Sequence, residues 1–402
     1  MLEQLGVREE RPLVETVAGL VKRLPGATRV WRRIKHGTPV WVSPLPVTKA
    51  RDRGRLTTDP EAVLAQYRAS EVTAEPDDFV LYRIIGNDLP PRHEVGQARR
   101  NLAFILEHEP TFPQCEKRFV VNRIVDPDEE RKILDLLEQA GVSYFRIPFR
   151  WEEYAQVPWD LVGVPRRYMP GSRRHRWLRE DEQERVRATF YRHKNNYVMN
   201  NNGARNAALS EGRSLAKWVM PWDGNCFLTE KGFEDLRQAV RTRPWVPYLL
   251  VRMVRLEKNQ DVFEKDIWSE TFEEPQIVFR RDAATCFDPA FPYGQRPKVE
   301  LLWRLGVPGA WDAWGIEPWD LPCPGYHADA GAYGWAGWVV RLAAALAEES
   351  AGSATATERM LVRTQAIVDL LRHLDRRTEA WGGGEHVKDE CGWLYSAEGI
   401  TR

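Results

Sequence analysis

Apolar positions along the middle of the chain switch between two spacings. Phe79-Val-Leu-Tyr-Arg-Ile-Ile85 is a mostly apolar run of strand length, and Val95, Ala98, Leu102, Ile105 and Leu106 then recur at the three-to-four spacing of a helix over 95–108. A second strand run over 118–125, a helix over 128–140 and a third strand over 144–149 repeat the cycle. Strand and helix in alternation predict parallel strands with helices packed on their faces. Further on, the pattern predicts a helix from 229 to 240, strands over 246–256 and 276–280, and helices over 298–305 and 335–348. Thr355-x-x-Glu358 forms a capping box for a last helix running to about residue 374, and the tail from Arg376, with Gly382-Gly-Gly384, reads as loose.

Between these halves lies Asn200-Asn-Asn-Gly-Ala-Arg-Asn-Ala-Ala-Leu-Ser-Glu-Gly212, whose small and apolar residues have helical spacing and whose closing glycine is placed to stop the helix. Lys217-Trp-Val-Met220 is a short strand run, and Asp223-Gly-Asn225 ends it abruptly. In open α/β sheets ligands bind outside the carboxyl ends of strands, so this pattern presents a carboxylate where a ligand would lie.

Residues 1–75 read as an N-terminal appendage, 76–345 as the α/β domain, and 346–402 as a C-terminal helical segment and tail. In the appendage, 13–24 suits a short amphipathic helix, and Asp59-Pro60 starts another that runs to about residue 70. Residues 39–56, rich in Pro and basic side chains, read as an extended connector.

The chain's 402 residues suffice for one large or two moderate domains. Lys plus Arg and Asp plus Glu both number 58, so bulk charge gives no reason to expect nucleic acid or an anionic membrane. Five scattered Cys, none in a Cys-x-x-Cys spacing, indicate neither a disulfide framework nor structural zinc, and a reducing cytoplasm suits them. No apolar run is long enough to span a membrane. The 17 Trp either fill a core or line a sugar-binding cleft. Arginines crowd residues 166–187, which read either as a solvated charged surface or as a lid whose guanidinium groups meet a diphosphate.

Three landmarks in order resemble the GT-A fold glycosyltransferases, most closely the family 2-like group: Tyr82-Arg-Ile-Ile-Gly-Asn-Asp88; Ala204-Arg-Asn206 followed by Trp222-Asp-Gly-Asn225; and Glu274 to Arg280 followed by Lys298-Val-Glu300. The resemblance covers roughly residues 78–340. It implies an α/β, GT-A-like, mostly parallel sheet flanked by helices, and transfer of a sugar from a nucleoside diphosphate sugar to an acceptor hydroxyl, with inversion. In its terms Arg83, Asn87, Asp88, Asn122, Arg123 and Asp126 hold the nucleoside, and Arg205 and Asn206 support the donor pocket. Asp223, with Asn225 in place of a second Asp, and His327 would bind Mg²⁺ or Mn²⁺, a hard cation that favours oxygen ligands, and the missing charge weakens that site. The acidic pair expected before the acceptor-side helix is replaced by Pro297 and Lys298, leaving Glu300 as the base, with Asp288 and Asp312 as substitutes. A nucleotidyltransferase is a rival reading, although neither a Walker loop nor Gly-x-Gly-x-x-Gly follows the first strand. A second rival is a non-catalytic protein of the same fold that binds nucleotide or carbohydrate.

Overall fold

The computed structural model describes residues 58–256, 258–263, 273–309, 317–343 and 356–380, together with short strands at 48–49, 313–314, 387–388, 394–396 and 399–401. The expected helix over 13–24 and most of the 39–56 connector lie outside the described residues. Helix α1 (Pro60–Ala69) starts as its sequence requires, with the Asp59 side chain accepting the Glu61 N–H and Pro60 at the first helical position. The segment after it is fastened to the sheet, for Glu75 pairs with Arg281 and its carbonyl accepts from Lys217 Nζ at 3.1 Å. Lys217 lies just before a central strand, so this attachment is at the edge opposite the strands' carboxyl ends.

The alternation of strand and helix builds one eight-stranded, mixed, mostly parallel sheet flanked by helices. Strand β1 (Phe79–Ile85) leads through α2 (Gln97–His108) to β2 (Cys115–Asn122), and α3 (Pro127–Gln139) leads to β3 (Ser143–Ile147). These three strands are parallel and step outward in the order of the chain. After α4 (Trp151–Gln156), α5 (Glu180–Phe190), α6 (Arg192–Met199) and α7 (Asn201–Gly212), the chain returns on the other side of β1 as β4 (Trp218–Asp223), again parallel. Strand β5 (Cys226–Phe227), α8 (Glu230–Thr242), β6 (Tyr248–Arg255), β7 (Glu273–Arg280), α9 (Val299–Arg304) and β8 (Tyr333–Arg341) complete the domain. The sheet order is β3-β2-β1-β4-β7-β6-β8-β5, and β7 is antiparallel to both of its neighbours.

Period-two alternation decides which face each side chain covers. Phe79 and Leu81 point to the α8 side, where Phe233, Leu236 and Val240 meet Trp218, Met220 and Trp222. Val80 and Tyr82 point to the other, where α7 contributes Ala204, Ala208 and Leu209 and α9 contributes Leu301 and Leu302. Both faces are covered, which is why β1 and β4 read as nearly unbroken apolar runs. The tryptophans follow the same logic: Trp218, Trp222, Trp303 and Trp319 are fully buried, so aromatic area here fills the core.

The expected helix over 335–348 is instead a strand as far as residue 341; residues 344–348 lie outside the described ones. Gly334, Ala336, Val339 and Val340 are buried, and β8 runs parallel to β6 and antiparallel to β5. Small residues let α8 lie directly on it. A Cβ on Gly232 would sit 2.4 Å from the Trp338 carbonyl oxygen, and Gly337 adopts φ +51° where the β6 pairing shifts register. Local propensity was overridden by an available pair of strand edges.

The C-terminal part carries the expected helix. Helix α10 (Ala356–Ala380) extends six residues past the expected end, and the short strands after it pair as a small antiparallel sheet. Ala366, Ile367, Leu371 and Leu374 of α10 pack with Tyr154, Ala188 and Tyr191. Inside this contact Lys194 Nζ lies 2.6 Å from Asp375 Oδ1, the oxygen that also accepts the Tyr154 hydroxyl at 2.7 Å. The arginine-rich segment is built into that bundle. Arg179 and Arg187 pair with acids of their own helix, and Arg185 pairs with Asp320. Among the described residues no helix is long and apolar enough to cross a membrane.

Gly232→Ala is expected to destabilise the protein by about 1–3 kcal/mol, the usual cost of forcing a methyl into a packed contact. Denaturant unfolding measures it, and an unchanged midpoint would show that α8 does not rest on β8 as closely as described.

Candidate active site

The return of the chain from β3 to β4 makes β1 and β4 the point at which strand order reverses. In open α/β sheets a crevice forms there, outside the carboxyl ends of the strands. A cleft of about 780 Å³ occupies this place, within the range of small-molecule sites. Asp223, the last residue of β4, pairs in register with Ile84 of β1, which brings it beside the Gly86-Asn87-Asp88 loop. The next residue must be glycine, since a Cβ on Gly224 would lie 2.4 Å from the Ile84 carbonyl oxygen. Because β7 is antiparallel, its first residues, Glu273 and Glu274, also reach the cleft.

Asp223 is the electrostatic centre. Its Oδ1 lies 2.5 Å from Arg205 Nη2, and its Oδ2 accepts from Gln276 Nε2 at 2.9 Å and lies 3.5 Å from Lys298 Nζ. Burial alone would raise its pKa, but Arg205 and then Lys298, helped by the Gln276 and Arg205 hydrogen bonds, hold the carboxyl well below the usual carboxylate range. Arg205 also donates to Asn202, so α7 aims the guanidinium along a fixed line.

Six of the residues expected from sequence line this cleft together: Asn87, Asp88, Asn122, Arg205, Asp223 and Asn225. Much of their hydrogen-bonding capacity shapes the wall. Asn87 donates to the Arg123 carbonyl at 2.7 Å and accepts from the Val125 N–H at 2.8 Å, which ties the β1 loop to the β2 loop. Asp88 accepts the Ala98 N–H at the start of α2, and burial raises its carboxyl above the ordinary value. Asn122 donates to Met199 and accepts from Asn200, which locks β2 to the α6–α7 junction.

Six expected site residues lie elsewhere. Arg123 donates to the Tyr197 carbonyl and lies over its ring. Arg83 is buried under β1, with Nε on the Cys226 carbonyl and Nη2 2.5 Å from Glu109, so it balances an interior charge. Asp126 caps α3 by accepting the Asp128 and Glu129 N–H groups. Asn206 exchanges two hydrogen bonds with the Phe287 backbone. Glu300 is fully buried, accepts the Asp288 N–H at 2.7 Å and pairs with Arg304 at 2.7 Å, and burial raises its carboxyl pKa. It faces the core side of α9 and cannot meet an acceptor hydroxyl. Asp288 turns its own carboxylate to the Ala290 N–H, while Asp312 lies outside the described residues. His327 sits beyond α9, where its ring Nδ1 accepts the Asp329 N–H at 3.1 Å.

A divalent cation does not fit the expected set. Asp223 is already engaged by two cationic side chains and an amide, Asn225 adds no charge, and His327 is outside the cleft. Among the described residues no three His, Cys, Asp or Glu side chains gather that could hold an ion on protein ligands alone, so such a cation would depend on one carboxylate and a phosphate ligand. What the sequence reading missed is what stands in this space, Lys298, Glu274, Arg92 and Arg363, with buried Gln276 behind them on Asp223. Lys298 was noticed only as the residue displacing an expected acid, and Arg363 is signalled only by its face of α10, where Met360, Arg363 and Thr364 share the cleft side. No tryptophan is among the described cleft residues.

No protein-family model matches the chain, and no significant match to a curated protein is found.

Two outcomes test these assignments. Glu300→Ala should cost about 1–3 kcal/mol of stability by leaving the Asp288 N–H without its acceptor, while Arg304 keeps Thr285 and Cys286, and equilibrium unfolding reads it directly; unaltered stability together with lost activity would return Glu300 to the site. His93, beside the cleft, is pushed down to about 3 by burial and then by Arg92, Arg341 and Arg363. Its ring stays neutral in the fold while the unfolded chain takes up a proton below about pH 6.5, so its contribution is whole above that pH and declines as pH falls toward 3. His93→Gln should therefore narrow the gap to wild type between pH 7 and pH 4; a gap independent of pH would show that His93 is not held neutral.

Proposed function

We propose that the chain transfers a sugar from a nucleoside diphosphate sugar to an acceptor hydroxyl with inversion at the anomeric carbon. The observation that carries this reading is the position of Asp223 and its cationic partners at the strand-order reversal, the place where this class of sheet receives a nucleotide. Asn87 and Asn122 edge the same crevice with amide groups suited to ribose hydroxyls and base edges. The departing diphosphate needs its growing charge stabilised. Arg205 and Lys298 bring two positive charges against the single charge of Asp223, so they supply that stabilisation from side chains already in place.

An inverting transfer also needs a base on the face opposite the leaving group. Glu274 is the carboxylate that suits it. Its side chain is exposed at the start of β7, lines the cleft, and makes no hydrogen bond or ion pair with a described residue. The neighbouring acids are spent: Glu273 on Arg255 and Arg341, Asp320 on Arg185, and Asp223 on its own cluster. As the acceptor oxygen attacks the anomeric carbon, its proton passes to Glu274, and the bond to the diphosphate oxygen breaks.

A panel of sugar nucleotides, assayed for release of nucleoside diphosphate with and without acceptors, tests the reading. Turnover is expected, and Glu274→Gln should lower kcat about 10²-fold or more with the donor KM little changed. Saturable binding of a sugar nucleotide without turnover would favour the non-catalytic alternative instead.

A further inference from the structure

Charge around the cleft is matched nearly everywhere. Arg185 has Asp320 at 2.6 Å, Arg255 and Arg341 share Glu273, and Arg205 and Lys298 share Asp223. Two guanidinium groups are left over. Arg92 lies in the loop between β1 and α2, and Arg363 lies on α10; both line the cleft, and neither makes a hydrogen bond or ion pair with a described residue. The Nε atom of each is buried without a partner. Their surroundings make this costly. Burial first, and then Arg92, lowers the pKa of Arg363, while Tyr293 and Glu274 act more weakly the other way, and both arginines act on the neutral ring of His93. The nearest aromatic relief is the Tyr293 ring, 6.0 Å from the Arg363 guanidinium carbon.

A fold that holds two half-buried cations in each other's field gives up stability unless an anion joins them. The two positions come from opposite ends of the domain, one after the first sheet strand and one on the last long helix, so no local sequence feature forces them together. Planar guanidinium forks suit the oxygens of a phosphate group, and two of them match its double charge. We propose that Arg92 and Arg363 form a phosphoryl subsite that takes a doubly charged phosphate group without a divalent metal ion. The subsite shares the cleft of the donor reading but does not need sugar transfer, so the two can fail separately. Its ligand is the diphosphate of a nucleotide or a phosphate ester carried by the other substrate.

Calorimetric titration of the full chain in excess chelator tests this, with inorganic pyrophosphate, adenosine diphosphate and glucose 6-phosphate as probes. Wild type should bind pyrophosphate, and Arg92→Gln and Arg363→Gln should each weaken it by about tenfold or more. Arg92→Lys should keep part of the affinity, and Arg281→Gln, at the far edge of the sheet, should keep all of it. Without ligand the two Gln variants should melt no lower than wild type, because each removes an unmatched charge. Tighter binding of adenosine diphosphate than of glucose 6-phosphate supports the subsite as a diphosphate site, and the reverse order supports it as a site for a phosphate ester. Failure of all three probes to bind wild type in chelator would overturn the proposal. So would wild-type affinity in the double Gln variant, or Gln variants that melt well below wild type, since the arginines would then serve the fold. Absence of sugar-nucleotide turnover with these results intact would defeat the transferase reading alone.

Discussion

A single carboxylate ties the working edge of the sheet together. Asp223 ends β4 and receives Arg205 from α7, Gln276 from β7 and Lys298 from the start of α9. Removing water from such a group is expensive, and only the simultaneous approach of several partners offsets the cost. The position of α7 over the sheet, the antiparallel entry of β7 and the start of α9 are therefore coupled through one charge. The same coupling leaves a surplus positive charge facing the cleft, which is the property a phosphate ligand would use.

Interior charge elsewhere serves architecture. Arg83 with Glu109, Glu300 with Arg304, and Lys194 with Asp375 are each matched at 2.5–2.7 Å; the first and last join different elements, and the second lies within α9. Such pairs add little net stability compared with apolar replacements, yet losing one partner is severe. Their sequence neighbourhoods resemble site motifs because both uses place charged residues at the ends or on the inner faces of strands and helices. The distinction lies in what remains unmatched. Arg92, Arg363 and Glu274 are the cleft groups whose charge the described fold does not consume, and they carry the chemical proposals.

Much of the architecture was legible in the chain. Nearly unbroken apolar runs at 79–85 and 217–220, separated by helical periodicity, determined a parallel sheet covered on both faces, because strands buried on both sides are apolar at almost every position. Asp59-Pro60 set a helix start through backbone chemistry that needs no distant partner. Asp223 was legible for the same reason, since a strand that ends in an acid presents it at the sheet edge. Tertiary structure decided the rest. Gly212 does not stop its helix, which is capped by Arg213, and its missing side chain serves packing instead, since a Cβ there would lie 2.6 Å from Val219. Residues 333–341 suit either period, and only the open edges of β6 and β5 made them a strand. Whether a polar residue shapes the wall or faces the ligand depended on partners 80 or more positions away, as with Asn206 and Phe287. That Arg92 and Arg363 line one cleft across 271 positions was likewise beyond local reading, because a sequence records only neighbours along the chain.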